Sequence, residues 1–237
     1  MIKLSVNINK IATLRNARGE NQPDLLKVAK DIQKFGANGI TIHPRPDQRH
    51  IKFNDVFELK NVIKTEFNIE GNPSLDFLRL VKKNLPDQVT LVPDSEKVIT
   101  SDSGWDTVSN KFFLIDVINE LKELGIRTSI FVDPDQKMID GALEAGADRI
   151  ELYTKSFADL YPINPKKAIQ RYITASDHAN NIGIGINAGH DLSLENIEFF
   201  SKNIKNLKEV SIGHALICES LYFGFENIIK KYLKKLV

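Results

Sequence analysis

Lys3-Leu4-Ser5-Val6-Asn7 alternates polar and apolar side chains, a period of two that predicts a strand over Lys3–Ile8. Short β-branched runs repeat the signal at Gly39–His43, Phe67–Glu70, Gln88–Val92 and Arg127–Val132. Three more follow at Arg149–Leu152, Gly183–Ile186 and Glu209–Ile212. Between them the apolar positions switch to helical spacing. Leu25, Leu26, Val28, Ala29 and Ile32 form one stripe, and Leu114, Val117, Ile118 and Leu121 another. The junctions FGANGITI, LGIRTSIF and AGADRIEL each put a glycine where a helix ends and the next strand begins, as a left-handed cap requires. Strict strand–helix alternation favours parallel pairing through right-handed crossovers, and eight such units close into a (β/α)8 TIM barrel. An open doubly wound sheet is the competing architecture. It would carry a glycine-rich nucleotide turn after its first strand, where this chain has Asn7-Ile8-Asn9-Lys10.

Length and composition agree with that reading. The 237 residues suit one barrel domain over 1–237, with no Pro/Gly/Ser-rich linker to divide it. A net charge of +1 gives no global field for a polyanion, so nucleic acid is not an expected partner. The basic run Lys230, Lys231, Lys234 and Lys235 is read as the solvated face of a terminal helix. No apolar run is long enough to span a bilayer, no secretory leader is visible, and the one cysteine, Cys218, fits a reducing compartment. A cytoplasmic location is expected.

Barrel enzymes keep their chemistry at the C-terminal ends of the strands, and polar residues gather there. Strand two runs into His43-Pro44-Arg45-Pro46-Asp47-Gln48-Arg49-His50, where two prolines stiffen a loop rich in groups that bind phosphate. Glu70 ends strand three and reads as an exposed carboxylate at the mouth, suited to proton abstraction. Glu151 lies within strand six, where a charge is costly unless paired, so it is either functional or the partner of an inward cation. His190 follows strand seven. Gly213 and His214 follow strand eight, where this fold usually cradles phosphate on a helix N-terminus. The first loop carries Arg15 and Arg18, which read as a second anion site or a lid. His178 falls mid-helix and reads as solvated, and Cys218 as a buried inert thiol. No metal site is expected, because H-x-H after strand one, H-E-x-x-H and cysteine clusters are all missing from the sequence.

Seven segments resemble the pyridoxine 5′-phosphate synthase family: NINKIATLRNARG (Asn7–Gly19), GITIHPRPDQRHI (Gly39–Ile51), NIE (Asn68–Glu70), LVPD (Leu91–Asp94), RIELYT (Arg149–Thr154), NAGH (Asn187–His190) and IGHA (Ile212–Ala215). They span nearly the whole chain in order. The resemblance implies condensation of 3-amino-2-oxopropyl phosphate with 1-deoxy-D-xylulose 5-phosphate to give pyridoxine 5′-phosphate, phosphate and water. It further implies a homo-octamer working without a cofactor. Carried over motif by motif, His43 and Glu70 are general bases, His190 a general acid, and Glu151 a stabiliser of charge in the transition state. Asn7, Arg18, Asp191, Gly213 and His214 hold the aminoketone phosphate, and Asn9, Lys10, Arg45, His50 and Thr100 the pentulose phosphate. Two positions depart from the family pattern. Asn9-Lys10 stands where many members have Asp-His. Asp191 stands where many have Gly, and its carboxylate would repel a phosphate unless it points away.

Two other functions fit parts of the pattern. A Schiff-base aldolase barrel acting on phosphorylated sugars would use Lys10 or Lys155 as its amine nucleophile. An inactive barrel kept to bind phosphorylated metabolites would not need the acid–base set His43, Glu70, Glu151 and His190.

Overall fold

The computed structural model describes residues 1–93 and 103–236. Strand β1 (Lys3–Asn7) leads into helices α1 (Asn9–Asn16) and α2 (Leu25–Lys34), and β2 (Gly39–Ile42) into α3 (Phe53–Val62). Next come β3 (Glu66–Gly71), α4 (Leu75–Asn84), β4 (Gln88–Leu91), α5 (Lys111–Glu123), β5 (Arg127–Val132) and α6 (Gln136–Glu144). β6 (Arg149–Tyr153) is followed by α7 (Lys155–Leu160) and α8 (Pro165–Ile182), and β7 (Gly185–Gly189) by α9 (Ile197–Asn203). β8 (Leu207–Ile212), α10 (His214–Phe223) and α11 (Phe225–Lys235) complete the order. The eight strands pair in parallel in sequence order, and β8 returns to β1 to close the barrel. The fold is a (β/α)8 barrel.

The three glycine junctions behave as expected, with Gly36, Gly125 and Gly146 at positive φ after α2, α5 and α6. Strand seven begins later than its sequence suggests. Gly183 caps α8 at φ +82 instead of entering the strand, which starts at Gly185. The stretch Asn9–Asn16, read as a polar loop, is helix α1, which buries Ile11, Ala12 and Arg15.

Alternation along each strand sorts the core into two environments. Leu4, Val6, Ile40, Ile42, Ile69 and Val89 are fully buried among the apolar stripes of the helices. Each such side chain contributes roughly 1.5–3 kcal/mol by leaving water. The alternate positions are polar, unlike the branched apolar layers common inside such barrels. The hydroxyls of Ser5 and Thr41 lie 2.7 Å apart, and Asn68 donates to Thr41 and accepts from Thr90. Asn187 of β7 donates to Gln88 of β4 at 3.5 Å, a bond between non-adjacent strands that crosses the interior. At the N-terminal ends of the strands, Lys3 and Arg127 both pair with Glu66, and Arg149 faces Glu209 at 3.8 Å.

On the outer face, Lys230 pairs with Glu226, Lys235 with Glu198, and Lys231 sits 3.8 Å over the Phe223 ring, so two of the four charges of the basic run have carboxylate partners. Among the described residues, no helix is long and apolar enough to cross a membrane.

Candidate active site

The C-terminal ends of the strands open into a cavity of about 530 Å³. It gathers Glu70 and Glu151 from β3 and β6 with His43 and His190, each the first residue past β2 and β7. Asn7, Asn9, Lys10, Arg45 and His50 line the same space, as do Asp191, Gly213 and His214. A second cavity of about 330 Å³ lies against the first and shares the wall formed by His43, Arg45 and Arg49.

His43 is 7% exposed, and its backbone N–H donates to Asn9 Oδ1 at 2.9 Å. Burial, then the charges of Arg45, His50 and Arg49, push its imidazole well below the ordinary histidine range. The ring is therefore neutral near pH 7, with a lone pair to accept a proton. Glu151 is the opposite case. It is 3% exposed, and its Oε2 has no hydrogen-bond partner among the described residues. Burial, then the nearby carboxylates of Glu70 and Glu209, hold it well above the usual carboxylate range against the opposing Thr90 hydroxyl. Among the described residues no cation is paired with Glu151, so the structural reading, a partner for an inward cation, finds no support there. Gly189 makes room for it, since a Cβ there would lie 2.4 Å from Glu151 Oε1.

Glu70 is half-buried rather than exposed at the rim, and Asn7 Nδ2 donates to its Oε2 at 3.3 Å. Asn7 Oδ1 accepts the N–H of Asn9 at 3.0 Å. The two asparagines thus tie the start of α1 to both Glu70 and the His43 backbone.

The loop after β2 is held from below by a clamp that sequence reasoning assigned differently. Arg15, read as part of an anion site or lid, is 6% exposed and makes a forked pair with Asp55, at 2.8 Å to Oδ1 and 2.7 Å to Oδ2. Asn16 Nδ2 donates to the carbonyl of His50 at 2.7 Å. His50 Nδ1 accepts the N–H of Ile51 at 3.0 Å, which leaves Nε2 to carry the ring proton. Burial, then Arg45, Lys10 and Arg49, lower His50 to about 4 while Asp47 opposes them. His50 is a neutral donor here.

On the far side, Gly213 is the N-cap of α10, whose first turn carries no acidic residue. Ser211, Gly213 and His214 face the cavity, and a Cβ on Gly213 would meet Asn7 Cβ at 3.3 Å. A helix N-terminus presenting unpaired N–H groups to a cavity suits a phosphate. Arg18 is not brought to this point. It is exposed on the turn after α1 and does not line the cavity. Thr100, and Asp94 of the LVPD segment, lie outside the described residues. Asp191 faces His190, with Oδ2 2.5 Å from Nδ1.

Sequence reasoning left Arg49, Phe131 and Val92 unassigned, yet all three line the cavity. The apolar pair occupies the mouth ends of β4 and β5, where the inward alternation predicts a wall residue. His178 is half-buried rather than fully solvated and sits 2.6 Å from Asp140, bridging α8 to α6. Cys218 is only partly buried, with Sγ 3.6 Å from His214 Nε2 one helical turn away. Lys155 pairs with Asp159 at 2.9 Å outside the cavity, and that carboxylate raises its amine above the ordinary lysine value. Lys10 is exposed at the rim, without the desolvation an amine nucleophile needs.

Solved barrels resemble this one in fold. A monomeric form of phosphoribosylanthranilate isomerase from Thermotoga maritima aligns with a TM-score of 0.63 at 14% identity, covering 100% of this chain and 98% of that one. Sequence comparison reaches further. Residues 4–237 match the family model "Pyridoxal phosphate biosynthesis protein PdxJ". The pyridoxine 5′-phosphate synthase of Flavobacterium johnsoniae is 62% identical over 236 residues, covering 100% of both chains. That of Cytophaga hutchinsonii is 58% identical, covering 100% of this chain and 99% of its own. At 53% identity the Porphyromonas gingivalis enzyme of the same name still aligns over 100% of this chain and 99% of its own. With the family model covering all but the first three residues, this chain belongs to the PdxJ family of pyridoxine 5′-phosphate synthases.

Proposed function

We propose that the protein condenses 3-amino-2-oxopropyl phosphate with 1-deoxy-D-xylulose 5-phosphate to form pyridoxine 5′-phosphate, releasing phosphate and water. The observation that carries this reading is the convergence of His43, Glu70, Glu151 and His190 on one cavity with a helix N-terminus at one side and arginines at the other. Imine formation, dehydration, phosphate loss and aldol-type closure are successive proton transfers, and each needs a group in the right protonation state. His43, held neutral, and Glu70 serve as bases, and His190 as the acid. Glu151, buried and shifted toward its protonated form, is suited to donate a hydrogen bond where negative charge develops.

The aminoketone phosphate sits at Gly213 and His214, with Asn7 beside them. The pentulose phosphate sits against Arg45 and His50, where Arg45 supplies charge and the His50 Nε2–H a directional donor. Lys10 adds charge at the rim of that second anchor, while Asn9 acts through the His43 backbone. By likeness to the family, the chain is taken as one cytoplasmic barrel domain that assembles into a homo-octamer. The deciding experiment mixes the purified protein with both phosphates and follows the pyridoxine phosphate chromophore. Product formation is expected; active substrates that give none would overturn the reading. Borohydride trapping with the pentulose phosphate is expected to leave every lysine unmodified, Lys10 included.

A further inference from the structure

His190 and Asp191 are neighbours in sequence, yet their side chains meet, with Nδ1 and Oδ2 2.5 Å apart. In an extended strand, adjacent side chains point to opposite faces. The turn that defeats this alternation is His190 itself, at φ +96, a left-handed conformation that a residue with a Cβ adopts only at a cost. Flanking contacts hold it there. Thr154 Oγ1 donates to the carbonyl of Gly189 at 2.7 Å and accepts the N–H of Asp191 at 3.4 Å, and Leu192 is fully buried. The His190 ring stands edge-on to Tyr153, at 5.1 Å between centroids and 87° between planes.

We infer that Asp191 is a positioning residue for the proton donor His190, and not a ligand of the phosphate. This rests on the reaction proposed above. Its carboxylate holds the proton on Nδ1, so Nε2 is the ring nitrogen that addresses the substrate, and it supplies a counter-charge whenever the ring carries both protons. The same contact gives the carboxylate a partner, which offsets its repulsion toward a phosphate at Gly213 and His214. The backbone strain at His190 then has a purpose: it brings the acid and its orienting group onto one side of the chain.

The test combines kinetics with a ring-proton readout. In long-range ¹H–¹⁵N spectra of the substrate-free protein, with the His190 signal assigned through His190→Asn, Nδ1 should be protonated. Asp191→Ala should move the ring toward the Nε2–H tautomer and lower kcat by about 10- to 100-fold, with KM for each phosphate within about twofold. Asp191→Asn, nearly isosteric and still able to accept from Nδ1, should fall between the two. It decides the matter if the alanine variant does not fold. An unchanged kcat overturns the inference, and so does a fall in kcat with an unchanged ring signature. A raised KM for the aminoketone phosphate at constant kcat also overturns it, by making Asp191 a substrate ligand. If the wild-type protein forms no pyridoxine phosphate, the reaction reading fails, while the ring signature still decides whether the pair exists.

Discussion

The two ends of the barrel interior both carry charge, and they treat it in opposite ways. At the N-terminal end, Glu66 has Lys3 and Arg127, and Glu209 has Arg149. Burial raises Glu209, but Arg149, Arg127 and Lys3 all pull it back. At the C-terminal end, Glu151 faces Glu70 rather than a cation, and His43 faces Arg45 rather than a carboxylate. Around Glu151 and His43 like groups thus sit beside each other where the strands finish, with His190 and Asp191 the complementary pair there, while the carboxylates where the strands begin have cations. The first end compensates its buried carboxylates, while the second shifts an acid toward its protonated form and a base toward its neutral form, as suits proton-transfer chemistry.

The strongest way to break this comparison is to remove the groups at the mouth. His43→Asn and Glu70→Gln should each lower kcat by about 10²- to 10⁴-fold while thermal unfolding shows a native-like fold. Near-normal turnover in both variants would remove these residues from proton transfer. The matching change at the other end is Arg149→Met, which leaves Glu209 buried with less compensation. It should cost on the order of 3 kcal/mol of stability by denaturant unfolding, with kcat within about threefold of wild type. A large loss of kcat without destabilisation would show that the lower ion pairs belong to the chemistry.

How much of this could be read in advance follows the same division. The alternation in Lys3-Leu4-Ser5-Val6-Asn7 marks both the strand and its polar inner face, and the residues just past each strand end mark the mouth. These signals are local. Arg15 was misread because its meaning lies in Asp55, forty positions away and on another helix, and no local pattern announces that pair. Glu70 looked exposed because Asn7, which reaches it, lies on β1. The neutral state of His50 depends on a bond from its own neighbour Ile51 and on burial by distant elements. Cys218 was read as a buried inert thiol although His214 stands one helical turn away, a spacing that carries a local signal of their contact.

The perturbed histidines also predict how the fold responds to acid. His50 has an unfolded value of 6.5 and a folded value of about 4, so its contribution is complete above pH 6.5 and is lost as pH falls toward 4. At most about 3 kcal/mol is involved, and burial of His43 acts in the same direction. Glu151, raised on folding, acts in the opposite sense: its contribution is present at low pH and is lost as pH rises through its folded value. Denaturant unfolding of His50→Asn between pH 7 and pH 4 should therefore show a shallower loss of stability than wild type. A steeper loss would contradict the neutral assignment of His50.

The smallest expected effect concerns the clamp beneath the mouth, and it sharpens where structure ends and chemistry begins. Arg15 does not itself line the cavity, but it reaches the His50 carbonyl at 3.5 Å and with Asp55 and Asn16 fixes the backbone that carries His50. Lysine keeps the charge and loses the fork. Arg15→Lys should therefore raise KM for the pentulose phosphate by about tenfold, roughly 1.4 kcal/mol, and leave KM for the aminoketone phosphate and kcat near wild type. Equal rises in both KM values would mean that the clamp supports the whole mouth, and a fall in kcat alone would place it behind His43 rather than His50.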